Sequence, residues 1–421
     1  MRIGMILDYE YLIDARVPNE ARYLAQHGHE VYVLCINFDN RPHFETAEGV
    51  NIVRFDMSRG RRNRLFGIMN IFPAYERIWT KQIMKFITEY RIEALHAHDL
   101  FMAKATHDAN RGFDLPVTLD LHENYPAAIK RYTWANTFPR KMFVRPDDWK
   151  KKEHRYLSYA DHIVVLSDSF RQTLCGEYPD LAAKNFAVYP NVPDAGRLLS
   201  FPVKPDVMEK KGRFILCYFG VIGVRRGMAV CFEALKLLAP VIPEVRLLLI
   251  GPVDQADRPL FDSYMNDVAV RAHTTHYPWK DISEIPSYIA ASDVCVSAAI
   301  NSPQHDSGIG NKIFQYMLFE RPVVVTNSKP LTALLDETRC GLIFEDLDAG
   351  DMAEKIKTLY RHPEMRSEMG RNGRKAVMEK YNLQTAGKEL GKLYRNKKYL
   401  AVSDILLTHT HTHTHTHTHH P

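Results

Sequence analysis

The segment "VTLDLHENYP" begins as an apolar run and ends in polar side chains that could do chemistry. Asp120, His122 and Glu123 bring carboxylate and imidazole groups together directly after the run, and a purely structural strand needs none of them. One apolar run earlier, "HAHD" places His98 and Asp99 in the same position. These groups predict a site at neighbouring strand ends. A buried, hydrogen-bonded histidine at a strand end is the alternative interpretation.

The second half of the chain contains an arginine pair suited to phosphate. In "YFGVIGVRRGMAVCFEAL", Arg225 and Arg226 stand at a glycine-containing turn, between a strand-like run and a helical one. Backbone N–H groups at a helix start attract anions, and two guanidinium groups there could hold a diphosphate. The glycines Gly220, Gly223 and Gly227 do not have the G-x-G-x-x-G spacing, so a dinucleotide oxidoreductase is weakly supported. A solvated arginine pair is the alternative.

A second glycine-rich turn precedes another helical run in "DSGIGNKIFQYMLFERPVVVTN". Lys312 and Gln315 lie three positions apart and therefore share one helix face near its amino end. A cation and an amide there suit a phosphate and a ribose hydroxyl. The alternative is that both are surface polar residues of an amphipathic helix.

The composition is that of a globular enzyme-sized protein with about two domains. The 421 residues are 45% hydrophobic and 25% charged, with a net charge of +5 that is too small to indicate a nucleic-acid-binding protein. The six cysteines are scattered singly, which argues against a zinc site or a disulfide framework. The start, "MRIGMILDYEYL", contains acidic residues and does not resemble a signal peptide. We expect a soluble, cytoplasmic protein, or at most one on the inner membrane surface.

Short runs rich in Val, Ile and Leu alternate with helical patterns, which predicts an α/β protein with doubly wound parallel sheets. The expected strands are "RIGMIL", "EVYVLCI", "IEALHA", "LPVTLDL" and "HIVVLS" in the first half, and "RFILCYFG", "VRLLLIG", "DVCVSAA" and "RPVVVTN" in the second. A proline-rich stretch without a clear period separates two halves of similar pattern. We therefore expect two domains whose ligands bind where strand carboxyl ends open into a cleft. The expected divisions are a first domain at 1–195, a linker at 196–212, a second domain at 213–382, a helix at 383–398 that packs back on the first domain, and a tag or disordered tail at 408–421.

Several of these motifs together resemble glycosyltransferase family 4. "NKIFQYMLFERPVVV" is similar to that family's "P-x-K-hydrophobic-x-E-Y-M-x-x-G-x-P-V-V" segment, and "FGVIGVRRGMAV" to its strand, turn and "KG" phosphate segment. "DARVPNEARYLAQHGHEVYVL" resembles the family's opening, and "HAHD", "LDLHENYP", "ADHIVVLSDSF" and "VYPNVPD" follow in the family's order. The resemblance covers essentially residues 1–398.

This resemblance implies the GT-B fold, with two Rossmann-like domains facing a central cleft, and retaining transfer of a sugar from a nucleotide-diphosphate donor. In the family the second domain holds the nucleotide and the first supplies the acceptor side. The catalytic candidates are then His122, Asp120 and Glu123. The candidates for the donor phosphates are Arg225, Arg226 and Lys312. Those for the nucleotide or its sugar are Gly223, Gly251, Ser307, Gly308, Gly310, Asn311 and Gln315. Those for the acceptor side are Arg16, Glu20, His98 and Asp99.

Fixed positive charge where negative charge develops on a leaving diphosphate is an efficient form of catalysis. Because Arg225, Arg226 and Lys312 could supply it, we expect neither a divalent metal nor a cofactor. The D-x-D formed by Asp346 and Asp348 stands before a helical run, where helix capping explains it better than metal binding.

Three positions depart from the family pattern. Val221 stands where the family has an arginine, which makes Arg225 the candidate substitute. Ser307 and Gln315 stand where the family has a pair of glutamates, and the loss of both carboxylates puts the identity of the donor sugar in doubt. Glu320 replaces the glycine before "PVV".

Two basic segments bear on the acceptor. Residues 54–64 contain five arginines and one acid, and residues 130–155 contain nine basic and three acidic residues with several aromatic ones among them. Such segments suit an anionic membrane or a phosphorylated lipid-linked acceptor. A merely solvated face is an equal alternative, and nucleic acid is a poorer one.

The sequence favours an active sugar transferase acting on a glycan or lipid-linked acceptor, in cell-surface polysaccharide synthesis. Two other readings stay open. One is a GT-B scaffold that binds nucleotide sugar with weak or no turnover, suggested by the missing carboxylate pair. The other is a nucleotide-sugar epimerase.

Overall fold

The computed structural model describes residues 1–14, 16–136, 138–204, 207 and 212–395, and its contacts divide the chain into two compact units. Of the described residues, unit 1 contains Met1–Tyr189 and those from Ala386 to Arg395, and unit 2 contains those within Pro190–Thr385. The expected tail at 408–421 and the last residues of the expected final helix lie outside the described residues.

Unit 1 is built on an eight-stranded sheet with the order β3-β4-β2-β1-β5-β6-β7-β8. Only the β3–β4 pair is antiparallel. The strands are β1 Arg2–Ile6, β2 Glu30–Asn37, β3 Phe44–Ala47, β4 Val50–Asp56, β5 Ala94–His98, β6 Val117–Asp120, β7 His162–Val165 and β8 Asn185–Val188. Strands β5, β6 and β7 are buried along their whole length, as expected for parallel strands covered on both faces. Their carboxyl ends carry the "HAHD" and "LDLHENYP" motifs.

Helices cover both faces of this sheet. They are α1 Val17–Gln26, α2 Arg59–Gly67, α3 Ala74–Tyr90, α4 Ala103–Asn110, α5 Tyr125–Ile129, α6 Thr133–Asn136, α7 Arg140–Val144, α8 Asp148–Ser158 and α9 Asp168–Glu177. In α3 the buried residues Trp79, Ile83 and Phe86 recur at helical spacing and join the core under the sheet. The helix therefore buries one face and leaves its polar side in water.

Unit 2 has a six-stranded, wholly parallel sheet with the order β11-β10-β9-β12-β13-β14. Its strands are β9 Phe214–Phe219, β10 Val245–Ile250, β11 Thr274–Tyr277, β12 Val294–Ser297, β13 Val323–Thr326 and β14 Gly341–Phe344. Its helices are α10 Ala195–Ser200, α11 Met228–Leu238, α12 Arg258–Asn266, α13 Val268–His273, α14 Ile285–Ala291, α15 Asn311–Leu318, α16 Lys329–Thr338, α17 Ala349–Arg361 and α18 Pro363–Glu379. A last helix, α19 Leu383–Leu393, carries the chain back into unit 1.

The predicted α/β class with two parallel sheets is confirmed. The sequence reading missed β3, β4 and β8 in unit 1 and β11 and β14 in unit 2. Most of these lie at or next to sheet edges and are short or partly exposed. Their residues therefore lack the continuous apolar run of a central strand.

The boundary between the units differs from the expected one. The linker was expected at 196–212 without regular structure, but α10 covers most of its first part. Asp194 caps this helix, and Leu198 is buried in the core of unit 2. Contacts place the division at Tyr189, ahead of the expected position at residue 195.

Among the described helices, none is long and apolar enough to cross a membrane.

Candidate functional site

In unit 1 the centre of the site is Asp120, the fully buried last residue of β6. Arg16, which directly precedes α1, holds this carboxylate with two hydrogen bonds: Nε donates to Oδ2 at 2.9 Å and Nη2 to Oδ1 at 2.8 Å. Arg16 Nη1 also donates to the carbonyl oxygen of Tyr189 at 2.7 Å. Asp120 is therefore fixed in place and has no access to a substrate.

Two histidines from neighbouring strand ends meet the same carboxylate. His98 Nδ1 lies 3.2 Å from Asp120 Oδ2, and His122 Nε2 lies 3.0 Å from it. The two imidazoles are themselves 3.1 Å apart, between His98 Nδ1 and His122 Nε2. His98 is fully buried, whereas His122 is 17% exposed. Of this group, His122 is the histidine that a substrate could reach.

Charge at His122 is set by two carboxylates. Burial disfavours the imidazolium, but Asp99 and Asp120 outweigh it and raise the pKa of His122 to about 10. Asp99 Oδ2 lies 3.8 Å from His122 Nδ1, and burial raises the pKa of this carboxyl group to about 7 despite the nearby His122. The Asp99 backbone has a φ of 71°, which a non-glycine residue rarely adopts. The two carboxylates thus favour the charged form of His122 at neutral pH.

Glu20 and His96 extend the network inward. Glu20 Oε1 lies 2.8 Å from Arg16 Nε, and His96 Nε2 lies 3.7 Å from Glu20 Oε2. Burial, reinforced by Asp120, raises the pKa of Glu20 well above its usual value, whereas burial and His98 lower the pKa of His96. Of the acceptor-side candidates, Arg16, Glu20 and His98 are all deeply buried. Their contacts include Asp120 and one another.

Glu20, His96, His98 and Asp120 could by type ligate a metal ion, since one ligand atom from each lies within 4.8 Å of the others. However, the guanidinium of Arg16 forms ion pairs with both carboxylates of the set. A fixed positive charge on the same carboxylates opposes a divalent cation. The set is therefore poorly suited to a metal.

Tyr394, the residue directly after α19, reaches this network, and its hydroxyl lies 2.7 Å from His96 Nδ1. Both side chains are buried in unit 1. We expect Tyr394→Phe to lower the free energy of unfolding by about 1–3 kcal/mol, because His96 Nδ1 then lacks its buried partner. Urea unfolding measures this loss. An unchanged stability would show that the contact contributes nothing to holding the helix.

Glu123, the next residue of the motif, contacts a side chain further along the chain. Its two carboxylate oxygens accept from the hydroxyl of Tyr132, both at 2.7 Å. Its negative charge also helps to raise the pKa of Asp99.

In unit 2 the basic candidates meet at Tyr218, near the end of β9. Lys312 Nζ lies 3.8 Å from the centre of the Tyr218 ring, and Arg226 lines a small pocket beside the same ring. Arg226 ends a 3-10 turn before α11, and Lys312 stands in the first turn of α15. Both cations thus lie at helix amino ends, where anions are favoured.

These two cations repel each other. Burial, followed by the charge of Arg226, lowers the pKa of Lys312 to about 7. Among the described residues, no acid forms an ion pair with Arg226 or Lys312. Two positive groups held together without a counter-charge are arranged to receive an anion.

The turn around Arg225 is tightly packed. The Arg225 carbonyl accepts a hydrogen bond from the amide of Ile300 at 3.2 Å, and its side chain is partly exposed. Gly227 has a φ of 79°, and a Cβ there would lie 1.8 Å from the carbonyl oxygen of Ala298. At Gly223, a Cβ would lie 2.7 Å from Asp257 Oδ2. Glycine is thus required for the turn itself.

Gly251 has a similar structural role. Its φ is 138°, and a Cβ would lie 2.1 Å from the carbonyl oxygen of Gly220. The ends of β10 and β9 approach so closely that no side chain fits between them. This close approach explains why residue 251 is a glycine, and the explanation needs no bound ligand.

Around the glycine-rich turn before α15, some polar side-chain atoms form hydrogen bonds and one buried oxygen does not. Ser307 is buried and donates its hydroxyl to the carbonyl oxygen of Gln304 at 2.6 Å. Gln315 Nε2 donates to the side-chain oxygen of Asn311, while the buried Oε1 of Gln315 has no partner within the described structure. Gly308 is extended and Gly310 caps the helix. An unpaired amide oxygen here could accept a hydroxyl.

The D-x-D pair has ordinary structural roles. The Asp348 side chain caps α17 by accepting from the amide of Asp351 at 2.9 Å. Asp346 Oδ2 accepts from the amide of Asn301 at 3.1 Å. The interpretation of Asp348 as a helix cap is confirmed.

The structure describes the surroundings of two of the three positions that depart from the family pattern, Glu320 and Val221. Glu320 has a φ of 57°, the left-handed region that favours glycine. Val221 is exposed, and its carbonyl accepts from the Tyr218 hydroxyl at 2.7 Å. Sequence reading missed Tyr218, although the aromatic residue directly before "FG" at a strand end was a usable signal. The sequence analysis also missed Tyr394, because no pattern in the sequence distinguishes this residue.

Two family models match the chain. The model described as Glycosyltransferase Family 4 matches residues 16–197, and the model described as Glycosyl transferases group 1 matches residues 203–376. The chain belongs to glycosyltransferase family 4, and the resemblance found in the sequence is confirmed.

The capsular polysaccharide biosynthesis glycosyltransferase CapM of Staphylococcus aureus is 27% identical over 187 residues, which cover 43% of this chain and 46% of CapM. Matches span about half the length of the curated relatives. Sucrose-phosphate synthase from Thermosynechococcus elongatus superposes with a TM-score of 0.74 over 95% of this chain and all of that one, at 18% identity. Anabaena HepE in complex with UDP and glucose superposes with a TM-score of 0.67 over 93% and 99%, at 14% identity. The fold is therefore GT-B.

Proposed function

We propose that this protein is a retaining hexosyltransferase that moves a sugar from a nucleoside-diphosphate donor to a glycan or lipid-linked acceptor in cell-surface polysaccharide synthesis. The observation that carries the proposal is the pair of cations Arg226 and Lys312, which converge on Tyr218 at two helix amino ends. A diphosphate supplies the negative charge that this arrangement lacks. The relatives' names, and the UDP bound to HepE, favour the same class of donor.

In the proposed reaction the two units have separate tasks. Arg226 and Lys312 hold the diphosphate and stabilise the charge that develops on it as the bond to the sugar breaks. Arg225, partly exposed on the same turn, is the third cation for this task. The unpaired Oε1 of Gln315 accepts a hydroxyl of the nucleotide or of its sugar. In unit 1, His122 supplies a positive charge and Asp99 a carboxyl group with a pKa near 7.

A thermal-shift panel of UDP-, GDP-, ADP- and CMP-sugars tests this proposal. A donor at about 100 times its dissociation constant adds about 2.7 kcal/mol to the free energy of unfolding. We expect one of the three diphosphate donors to give the largest shift, and the CMP-sugar, which has a single phosphate, to give a smaller one. No shift with any diphosphate donor would contradict the proposal.

Donor binding should take up a proton through Lys312. Its lowered pKa leaves this amine mostly neutral at pH 8.5 in the free protein, and a bound diphosphate should restore its charge. Calorimetry at pH 8.5 in buffers of different ionisation enthalpy should give an uptake of about one proton per donor. At pH 6 the uptake should be close to zero. Lys312→Met should abolish the uptake at pH 8.5, and an uptake that persists in this variant would assign the proton to another group.

The same pKa sets the pH dependence of folding. Because the pKa of Lys312 is lower in the folded than in the unfolded protein, the unfolded state binds more protons between pH 7 and about 10.5. Lys312 therefore makes stability rise with pH through this window, an effect that Lys312→Met removes.

We further propose that no metal or cofactor is required. Arg226 and Lys312 supply positive charge in unit 2, and Arg16 occupies the carboxylates of the metal-like set in unit 1. Dialysis against EDTA should leave turnover unchanged, and added Mg²⁺ or Mn²⁺ should not raise it. A loss of activity that only a divalent ion restores would contradict this.

A second candidate function is a GT-B scaffold that binds nucleotide sugar with little turnover. It is favoured by Ser307 and Gln315, which replace a carboxylate pair, and by the engagement of the Ser307 hydroxyl within its own turn. Slow hydrolysis of the donor, detected as free nucleoside diphosphate, indicates the transferase. Binding without any hydrolysis or transfer indicates the scaffold.

We propose a cytoplasmic location with peripheral contact to the inner membrane face. Around α7 a group of large apolar side chains is exposed: Ile71, Phe72, Trp134, Phe138, Met142 and Phe143. Arginines and lysines of α2 and of α7 accompany them. Apolar and basic groups together suit an anionic bilayer surface. Co-sedimentation with anionic vesicles, and its absence with neutral ones, tests this location.

A further inference from the structure

Unit 1 contains a cavity of about 600 Å³ beside the basic helix α2. One wall comes from α2 and the residues directly after it, and the other from α6 and α7. The helices α2 and α7 pack against each other, and Asn70 Nδ2 donates to the carbonyl oxygen of Val144 at 2.6 Å. The cavity is thus a formed feature between fixed elements.

The cavity is positively charged. Arg62, Arg64 and Arg140 line it, and no acidic residue is among its described lining residues. Arg62 is committed to the buried Asp8, 2.5 Å away. Arg64 and Arg140 are exposed, and neither forms an ion pair with a described acid. Two guanidinium groups are therefore available to an anion inside the cavity.

Two other arginines of the segment at residues 54–64 are already paired with acids. Arg54 is buried in β4 and forms ion pairs with Glu10 and Glu45. Arg59 lies 3.3 Å from Asp39. These two arginines therefore differ from Arg64, whose guanidinium lines the cavity without such a partner among the described residues.

An aromatic wall connects the cavity to the strand-end motif. Trp134 lines the cavity, and its ring centre lies 6.2 Å from that of Phe66 and 6.3 Å from that of Tyr132. Tyr132 in turn donates to Glu123, the residue after His122. A molecule in the cavity therefore lies one side-chain layer away from the motif that contains His122.

Large apolar side chains are exposed in the chain segment that contributes Arg140 and Phe143 to the cavity lining. Phe143 lines the cavity and is 44% exposed, and the nearby Phe138 and Met142 are 78% and 62% exposed. Large exposed apolar groups grouped beside a binding pocket indicate a ligand or membrane contact. An occupant with an anionic head and an apolar chain matches both parts of this surface.

We propose that the cavity binds the phosphate head of a lipid-linked acceptor, with Arg64 and Arg140 on the phosphate oxygens and the lipid chain over Phe138 and Met142. The sugar next to the phosphate would lie against Trp134. This inference rests on the proposed transferase function and names the acceptor class and its site. The free guanidinium groups favour it over a cavity that binds an uncharged glycan.

Titration with farnesyl diphosphate, followed by tryptophan fluorescence at constant ionic strength, tests the site. We expect saturable binding to the full chain, and about tenfold or greater weakening by Arg64→Ala and by Arg140→Ala, the loss of one charged hydrogen bond each. Farnesol and inorganic pyrophosphate should each bind at least tenfold more weakly, because each lacks one half of the ligand. Arg171→Ala, on the exposed surface of α9, is the matched control and should leave the affinity unchanged.

Three results would overturn the inference: no binding of farnesyl diphosphate to the wild-type protein, wild-type affinity in both arginine variants, or pyrophosphate binding as tightly as farnesyl diphosphate. Variants that lose only binding to anionic vesicles would also overturn it, since the arginines then serve the membrane surface. Donor affinity measured on the same variants separates the two proposals. A wild-type protein that binds donor but not farnesyl diphosphate refutes this inference alone, whereas one that binds neither refutes the transferase as well.

Discussion

Replacing His122 with alanine should lower kcat by about 100- to 1,000-fold, the usual cost of removing one preorganised group that stabilises transition-state charge. The affinity for the donor should stay unchanged, because its phosphates bind through Arg226 and Lys312. His122 is poised for such a role, since Asp120 and Asp99 orient its two nitrogens and keep it charged.

The pH dependence distinguishes this role from general-base catalysis. His122 has a folded pKa of about 10 against an ordinary value of about 6.5. Its charge stabilises the folded protein fully below pH 6.5, and the effect is lost as pH rises through 10. The activity of wild-type protein should therefore show no histidine limb near pH 6.5. A limb there that His122→Ala removes would show that the imidazole acts as a base.

Two variants control this experiment. His154→Ala changes an exposed histidine of unit 1 that contacts Asp180 and Tyr178, and it should leave kcat unchanged. Asp99→Asn removes one of the carboxylates that raise the pKa of His122, and it should shift the alkaline loss of activity to lower pH. If His122→Ala instead weakens donor binding and spares kcat, the roles assigned to the two units are reversed.

Replacing Arg226 with alanine should weaken donor binding by about 1.5–3 kcal/mol, the contribution of a charged hydrogen bond. This corresponds to a roughly 10- to 150-fold increase in the dissociation constant. The structural reason is that Arg226 and Lys312 repel each other and are not neutralised by any described acid. Calorimetric titration with the best nucleoside diphosphate of the panel measures the change.

The loss of donor affinity in Arg226→Ala should depend on pH, because Arg226 also lowers the pKa of Lys312. In Arg226→Ala the pKa of Lys312 should rise, although burial still lowers it, so protonating this amine on donor binding costs less. The loss of affinity should therefore be smaller at pH 8.5 than at pH 6. Arg258→Ala, an exposed arginine of unit 2 paired with Asp262, is the control. An unchanged affinity in Arg226→Ala at both pH values would show that this guanidinium faces solvent.

Much of the fold could be predicted because central parallel strands are continuous apolar runs. The runs that end at His98, Asp120 and Phe219 were all visible in the sequence. The missed strands β3, β11 and β14 are only partly buried, and their sequences therefore lack this signal. The helix α10 was missed because its six residues are too few to establish a period.

The candidate site could be predicted in outline but not in its internal order. The sequence pattern identified His122 and Lys312. It could not show which carboxylate orients each histidine, because that depends on contacts between segments that are distant in the chain. Arg16 meets Asp120 across 104 positions, and Tyr394 meets His96 across 298. The pairing of Arg54 with Glu10 likewise removes it from the basic surface that its sequence suggested.

The central claim is that Arg226 and Lys312 hold the diphosphate of a nucleotide sugar. A crystal structure of the protein with the nucleoside diphosphate that stabilises it most tests this directly. The expected result is that diphosphate oxygens lie about 2.7–3.2 Å from the nitrogens of Arg226 and Lys312, beside the Tyr218 ring. A diphosphate bound elsewhere, with both side chains directed into solvent, would contradict the proposed function.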